Sequence, residues 1–169
     1  MKERIRILGL LVLGASVMTL TSWAQTKKAN DKEAIRQQIN SFIKAFRTRN
    51  VNLMMSLYTP DMVAFDIVPP LKDTGADTYR KTWEKTFKRF DGPIGIEVRD
   101  RNIVPGDKVA FAYQLLHLSA TMTNGQKIDF WERMTLCFVK TNGKWLIMHE
   151  HVSVPADLRT GKAVLNLKP

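Results

Sequence analysis

Two Asn-Gly pairs, Asn124-Gly125 and Asn142-Gly143, constrain this chain more than any other feature. A two-residue hairpin turn needs positive φ at both central residues, and Asn-Gly tolerates that best. Each pair lies between long runs rich in β-branched, aromatic and aliphatic residues, at 108–121, 127–141 and 145–154. The spacing predicts a three-stranded antiparallel meander. A further strand, 94–104, precedes it and ends at Pro105-Gly106-Asp107. The last strand stops at Pro155.

The first half of the chain reads differently. Ile35, Ile39, Phe42, Ile43 and Phe46 recur at helical spacing, predicting an amphipathic helix over 31–49. Asn30 followed by Glu33 fits a capping box at its start. A second, short helix is expected over 52–58, before Pro60. A short strand, 62–68, ends at Pro69-Pro70. A third helix, 76–89, carries Tyr79, Trp83 and Phe87 along one face, and Gly92-Pro93 is expected to break the chain after it.

Residues 1–24 are expected to stand apart from the fold. Lys2, Arg4 and Arg6 precede a charge-free apolar run, and Ser22-Trp23-Ala24 places small residues at −3 and −1. This is the pattern of a secretory signal peptide with cleavage after Ala24, implying a periplasmic or secreted protein with no membrane association once cleaved. The apolar run is short for a membrane span. Residues 25–30 are expected to form a flexible arm, 31–158 one domain of ordinary size, and 159–169 a tail. The single cysteine, Cys137, excludes an internal disulfide framework, and its neighbours Leu136 and Phe138 suggest an inert, buried thiol. The formal charge is +10, and loss of Lys2, Glu3, Arg4 and Arg6 would leave +8. The basic residues are scattered among acids with no basic-aromatic stripe, so no nucleic-acid partner is expected.

Strand register then assigns side chains to faces. With a two-residue loop at each Asn-Gly, His117 lies opposite Glu132 and Tyr113 opposite Leu136. Leu136 in turn lies opposite His149, and Met134 opposite His151. One face would carry Tyr113, His117, Glu132, Met134, Leu136, His149 and His151. The other would carry Leu116, Leu118, Trp131, Arg133 and Glu150, with Arg133 and Glu150 as diagonal neighbours. Both faces are apolar, so both need covering. Helices can cover one, and a second copy of the chain most economically covers the other.

Helices, a short strand, a third helix and a long meander resemble the nuclear transport factor 2-like fold. That resemblance implies an α+β cone, with three N-terminal helices packed on a curved, mainly antiparallel sheet. Trp131-x-Arg133-x-Thr135 and Gly143-Lys144-Trp145-x-Ile147-x-His149-x-His151-x-Ser153-x-Pro155 are similar to the SnoaL-like, ketosteroid isomerase-related branch. The Gly-Lys-Trp…His-x-His part is also similar to the hub domain of calcium/calmodulin-dependent protein kinase. The segment Tyr58-Thr59-Pro60-Asp61-Met62-Val63-Ala64-Phe65-Asp66 aligns without a gap on the isomerase stretch leading to its general base, which places Asp66 there. The isomerase's oxyanion-hole tyrosine falls on Phe42 and its sheet aspartate near Thr135 or Leu136. The resemblance therefore supplies the base without its partners, while its pocket positions fall on Tyr113, Leu115 and His117.

The expected function is binding of a small apolar or aromatic ligand in the cone, with isomerase- or cyclase-type acid-base chemistry led by Asp66 and assisted by His149 and His151. Tyr58, Trp83, Tyr113, His117, Glu132, Met134 and Leu136 are the expected pocket. Trp131, Arg133 and Glu150 are the expected homodimer interface. The alternative is a non-catalytic, exported binding or assembly module that dimerises through its sheet. His117, His149, His151 and Glu132 are also metal-donor types, but paired histidines two apart serve plain packing as well. No metal or other cofactor is expected.

Overall fold

A computed structural model describes the backbone from Lys2 to Pro169 and the side chains from Ala24 onward. The expected signal segment falls, up to residue 23, outside that side-chain description, and the expected cleavage point after Ala24 lies just inside it. The elements are α1 (Lys2–Arg47), α2 (Val51–Met55), β1 (Tyr58–Phe65), β2 (Asp73–Thr74) and α3 (Ala76–Phe87). They are followed by β3 (Phe90–Val104), β4 (Val109–Met122), β5 (Lys127–Thr141), β6 (Lys144–Ser153), β7 (Ala156–Asp157) and β8 (Lys162–Ala163).

The spacing of Ile35, Ile39, Phe42, Ile43 and Phe46 does bury one side of α1 against the sheet. Tyr79, Trp83 and Phe87 do the same for α3. Each such side chain contributes about 1.5–3 kcal/mol when fully withdrawn from water. Helix α1 does not begin at Asp31. Residues 25–30 are helical, because Gln25, Lys27, Lys28 and Ala29 favour helix and no Gly or Pro interrupts them. Asn30 therefore caps nothing. Asp31 instead accepts hydrogen bonds from Lys140 Nζ at 2.5 Å and Trp145 Nε1 at 3.1 Å, pinning α1 to the sheet. Burial works to raise its pKa, but those two bonds together with the charges of Lys140 and Lys27 outweigh burial and hold the carboxyl below its usual range.

The six-stranded sheet runs β2-β1-β6-β5-β4-β3, with β1 and β6 parallel and all other neighbours antiparallel. Its curvature is built into β3, whose register against β4 shifts between Asp91 and Gly95 and again between Arg99 and Asn102. Gly92-Pro93 lies within that strand instead of ending it. An edge strand tolerates a proline because one row of its N–H groups needs no partner. Gly95 lets β3 approach β4 closely: a Cβ there would come within 2.3 Å of Ser119 Oγ, so that hydroxyl would have to turn away.

The two Asn-Gly turns are not alike. Thr141 pairs with Lys144 across a two-residue loop, and Asn142 and Gly143 have φ of 50° and 78°. At the other turn Thr121 pairs with Lys127, Met122 N–H donates to Gln126 O, and of the pair only Gly125 has positive φ. That loop holds three residues, Thr123 to Gly125, a type I turn completed by a glycine. The extra residue moves β4 by one position against β5. His117 therefore faces Trp131, and Leu116 faces Glu132.

A second shift lies in β6. Phe138 pairs with Ile147, but Cys137 pairs with His149, so Met148 is the extra residue of a β-bulge. Beyond it Leu136 faces Glu150 and Thr135 faces His151. A one-residue slip exchanges the faces of every later side chain. The bulge therefore turns Glu150 and Val152 inward and His149 and His151 outward.

Candidate functional site

Sheet and helices enclose a cone-shaped cavity of about 360 Å³. Phe42 and Phe46 from α1 and Trp83 from α3 form one wall. Leu116 and Leu118 from β4, Phe130 and Met134 from β5, and Val152 from β6 form the opposite wall. The aromatic side is rigidly interlocked: Phe46 and Trp83 meet edge to face at 5.0 Å, and Tyr79 meets Trp83 at 5.7 Å. This wall follows from helical periodicity on α1 and α3. The other follows from alternation along β4 and β5.

Into this apolar space come three carboxyl groups: Asp66 just beyond β1, Glu132 on β5 and Glu150 on β6. Glu132 and Glu150 are 7% and 2% exposed, which is rare for glutamates without a cation. The Tyr58 hydroxyl donates a hydrogen bond to Glu150 Oε2. Tyr79 Oη is buried beyond bonding distance of any partner, yet near enough to ease the charge on Glu150. Asp66 is half-buried, and its Oδ1 accepts from its neighbour Ile67 N–H at 2.6 Å.

Burial dominates the electrostatics. It pushes Glu132 up to about 8, aided by the charges of Asp66 and Glu150. It pushes Glu150 to about 8 as well; the bond from Tyr58 works downward, and the charge of Asp66 adds to the rise. Burial also raises Asp66, against the bonds its carboxylate accepts from Ile67 and Val68. Like charges sharing a site do not ionise together. Asp66, the most hydrated and best supplied with N–H donors, ionises first, and its charge helps keep the two glutamates protonated. Glu132 and Glu150 are thus neutral acids near neutral pH, with Asp66 the candidate base beside them.

The expected site residues divide accordingly. Asp66, Trp83, Glu132 and Met134 line the cavity, and Tyr58 and Leu136 are buried on the same side. Tyr113 and His117 do not: the longer β4–β5 loop turns them outward, and Tyr113 is 47% exposed. His149 and His151 also face outward, because of the Met148 bulge. His149 Nδ1 lies 2.9 Å from Val63 O, and Phe65 packs edge-on against both imidazoles at 4.8 and 5.8 Å. Their expected place beside Asp66 in the cone is thus corrected. Glu150 is corrected in the opposite sense, from the outer face to the cone, and so does not meet Arg133.

Trp131 and Arg133 do lie on the outer face. Trp131 stacks on His117 at 4.9 Å, with Arg99 5.2 Å from its ring centre. His117 Nε2 lies 2.8 Å from Asp129 Oδ1. Cys137, expected to be buried, is half-buried on this face opposite His149, and burial raises its thiol pKa. Among the described residues, no group of three or more His, Cys, Asp or Glu is arranged to hold a metal ion.

A signal for the inward Glu150 does exist in the sequence. Apolar residues occupy odd positions at Trp145 and Ile147, then even positions at Val152 and Val154. That change of parity marks a bulge between them. The inward Glu132 carries the parity of Phe130, Met134 and Phe138.

No curated protein matches this chain. Among solved structures, a nuclear transport factor 2-like protein of unknown function from Pseudomonas putida is 28% identical. The match covers 83% of this chain and 98% of that one, with a TM-score of 0.77. A ketosteroid isomerase-like protein from Erwinia carotovora is 17% identical over 73% of this chain and 95% of its own, with a TM-score of 0.65. A proposed scytalone dehydratase from Novosphingobium aromaticivorans is 18% identical over 79% and 86%, with a TM-score of 0.63. At those identities the latter two speak for the fold alone. Residues 35–157 match the SnoaL-like domain family, and the chain belongs to that family, with the nuclear transport factor 2-like fold.

Proposed function

We propose that this domain binds a small, largely apolar or aromatic-ring molecule in the cone and moves a proton on it. The observation that carries the reading is the convergence of Asp66, Glu132 and Glu150 in an otherwise apolar cavity of about 360 Å³. The Asp66 carboxylate takes a proton from a carbon next to a carbonyl. The electron pair moves onto the carbonyl oxygen, which accepts a hydrogen bond from neutral Glu132 or Glu150. Asp66 then returns the proton to another carbon, completing an isomerisation. Protonated carboxyl groups in a dry site are effective oxyanion donors. They replace the donors that the isomerase resemblance leaves out at Phe42 and Thr135. The proton chemistry is tested by following deuterium uptake from solvent into cyclic ketones by NMR. Exchange that Asp66→Asn abolishes supports it, and exchange indifferent to that change removes it.

The non-catalytic alternative draws on the outer face. Phe65, Phe111, Tyr113 and Met148 are exposed apolar side chains of this part of the sheet. Exposed apolar side chains of this kind on one face suit a second copy of the chain. We propose a homodimer through this face in either case, with Trp131 and Arg133 in the interface. Export, with cleavage after Ala24, is likewise proposed from the N-terminal sequence; N-terminal sequencing of protein released from the cell tests it.

A further inference from the structure

The family match ends at residue 157, yet the cone has two wall residues beyond that point, Ala163 and Leu165. Ala163 ends β8 of the short hairpin formed by β7 and β8, and Leu165 follows two residues after it. The hairpin's backbone hydrogen bonds close on themselves. Ala156 pairs with Ala163 and Asp157 with Lys162; Gly161 N–H donates to Asp157 O at 2.7 Å, and Val164 N–H to Pro155 O at 2.8 Å. Gly161 takes φ of 70°, which lets the turn reverse so tightly. The hairpin forms a two-stranded sheet separate from the six-stranded one. It can therefore move as a unit about Pro155 without breaking a hydrogen bond of the main sheet.

Leu165 is 44% exposed. One side of it faces the cavity with Phe130 and Val154, and the other faces water. That is the position of a plug at the mouth of a pocket. An apolar residue placed there is only partly covered, and it gains further contacts when an apolar ligand fills the space beneath it.

We propose that the 156–165 hairpin is a cap on the cone, and that Leu165 is a specificity-determining residue that holds an apolar ligand in place. The proposal rests on the reading of the cone as a ligand site. The cap must swing aside for entry and close for retention, so it acts mainly on the dissociation rate.

The test uses the uncharged fluorescent probe N-phenyl-1-naphthylamine and stopped-flow dissociation. Three proteins are compared: the full chain, the chain lacking residues 160–169, and full-length Leu165→Ser, which controls for any folding defect of the truncation. Both variants are expected to release the probe about tenfold faster, the factor for losing one leucine-sized apolar contact. Probe binding only when the cap is removed also supports the proposal, as a cap shut against this probe. Equal dissociation rates in all three overturn the cap and leave ligand binding in the cone standing. Failure of all three to bind overturns both.

Discussion

The two faces of the sheet each set ionisable groups among apolar ones and do opposite things with them. The inner face holds Glu132 and Glu150 among Leu116, Phe130 and Met134, sealed from water by helices. The outer face holds His117, His149 and His151 among Tyr113, Trp131 and Phe111, largely open. Position, and not residue type, separates them. On the sealed side a carboxyl becomes a neutral acid, because burial outweighs the few hydrogen bonds that could ease its charge. On the open side the rings hydrogen-bond and stack with their neighbours, and the apolar surface calls for a partner. Imidazoles draw the eye as chemistry-bearing groups, yet the proposed chemistry lies with the carboxyls behind them.

The most severe way to break this contrast is to delete Met148. Without the bulge residue, Glu150 and Val152 would turn outward, and His149 and His151 would turn into the cone. The expected outcome is loss of cooperative unfolding in calorimetry, since repacking this strand costs several kcal/mol, about the whole stability of a domain. Retained two-state unfolding would show that the bulge does not set the faces.

Next in size is Asp66→Asn. It is expected to slow solvent exchange into ketones by about 10²–10⁴-fold, the range for losing a positioned general base. His149→Ala and His151→Ala should stay within about twofold of the parent in the same NMR assay, well below any general-acid-base effect. Equal losses from the histidine changes would restore them to the site.

On the outer face, Trp131→Glu is expected to weaken the proposed dimer by about thirtyfold or more, as for a central aromatic contact. Light scattering should then report a monomer, while probe binding in the cone is retained. A persistent dimer would remove Trp131 from the interface.

A separate effect concerns pH. Glu132 and Glu150 hold protons to about 8 when folded, against an ordinary value near 4.5. Between those values the folded state binds more protons than the unfolded one, so stability falls as pH rises through the window. The slope per group is at most about 1.4 kcal/mol per pH unit. Glu132→Gln should flatten it and raise Tm at pH 8 relative to the parent. An unchanged dependence would mean that Glu132 titrates normally. Asp31 works the other way at low pH: its pKa is depressed, so its stabilisation is lost as pH falls through the acidic range.

Much of the fold was legible in residue spacing. The stripes of α1 and α3, the meander and the family follow from periodicity and from the Gly-Lys-Trp…His-x-His segment. Asp66 was legible too, because its alignment crosses no turn. The faces were not. Asn-Gly marks a hairpin, but Asn124-Gly125 closes a three-residue loop and Asn142-Gly143 a two-residue one, and each added residue inverts a strand. The Met148 bulge inverts β6 once more. Long-range register therefore depended on single-residue details of three local structures, and the errors fell on His117, Tyr113, His149, His151 and Glu150. The C-terminal cap was missed because β7 and β8 are two residues each, too short to show a period.

The central claim is that the cone holds one ionised base and two neutral acids. Carbon-13 NMR of the side-chain carboxyls, followed from pH 3 to 10, tests it without any ligand. The expected result is that Asp66 ionises first, with Glu132 and Glu150 keeping their protons until about 8. Titration of both glutamates near 4.5 would contradict the account.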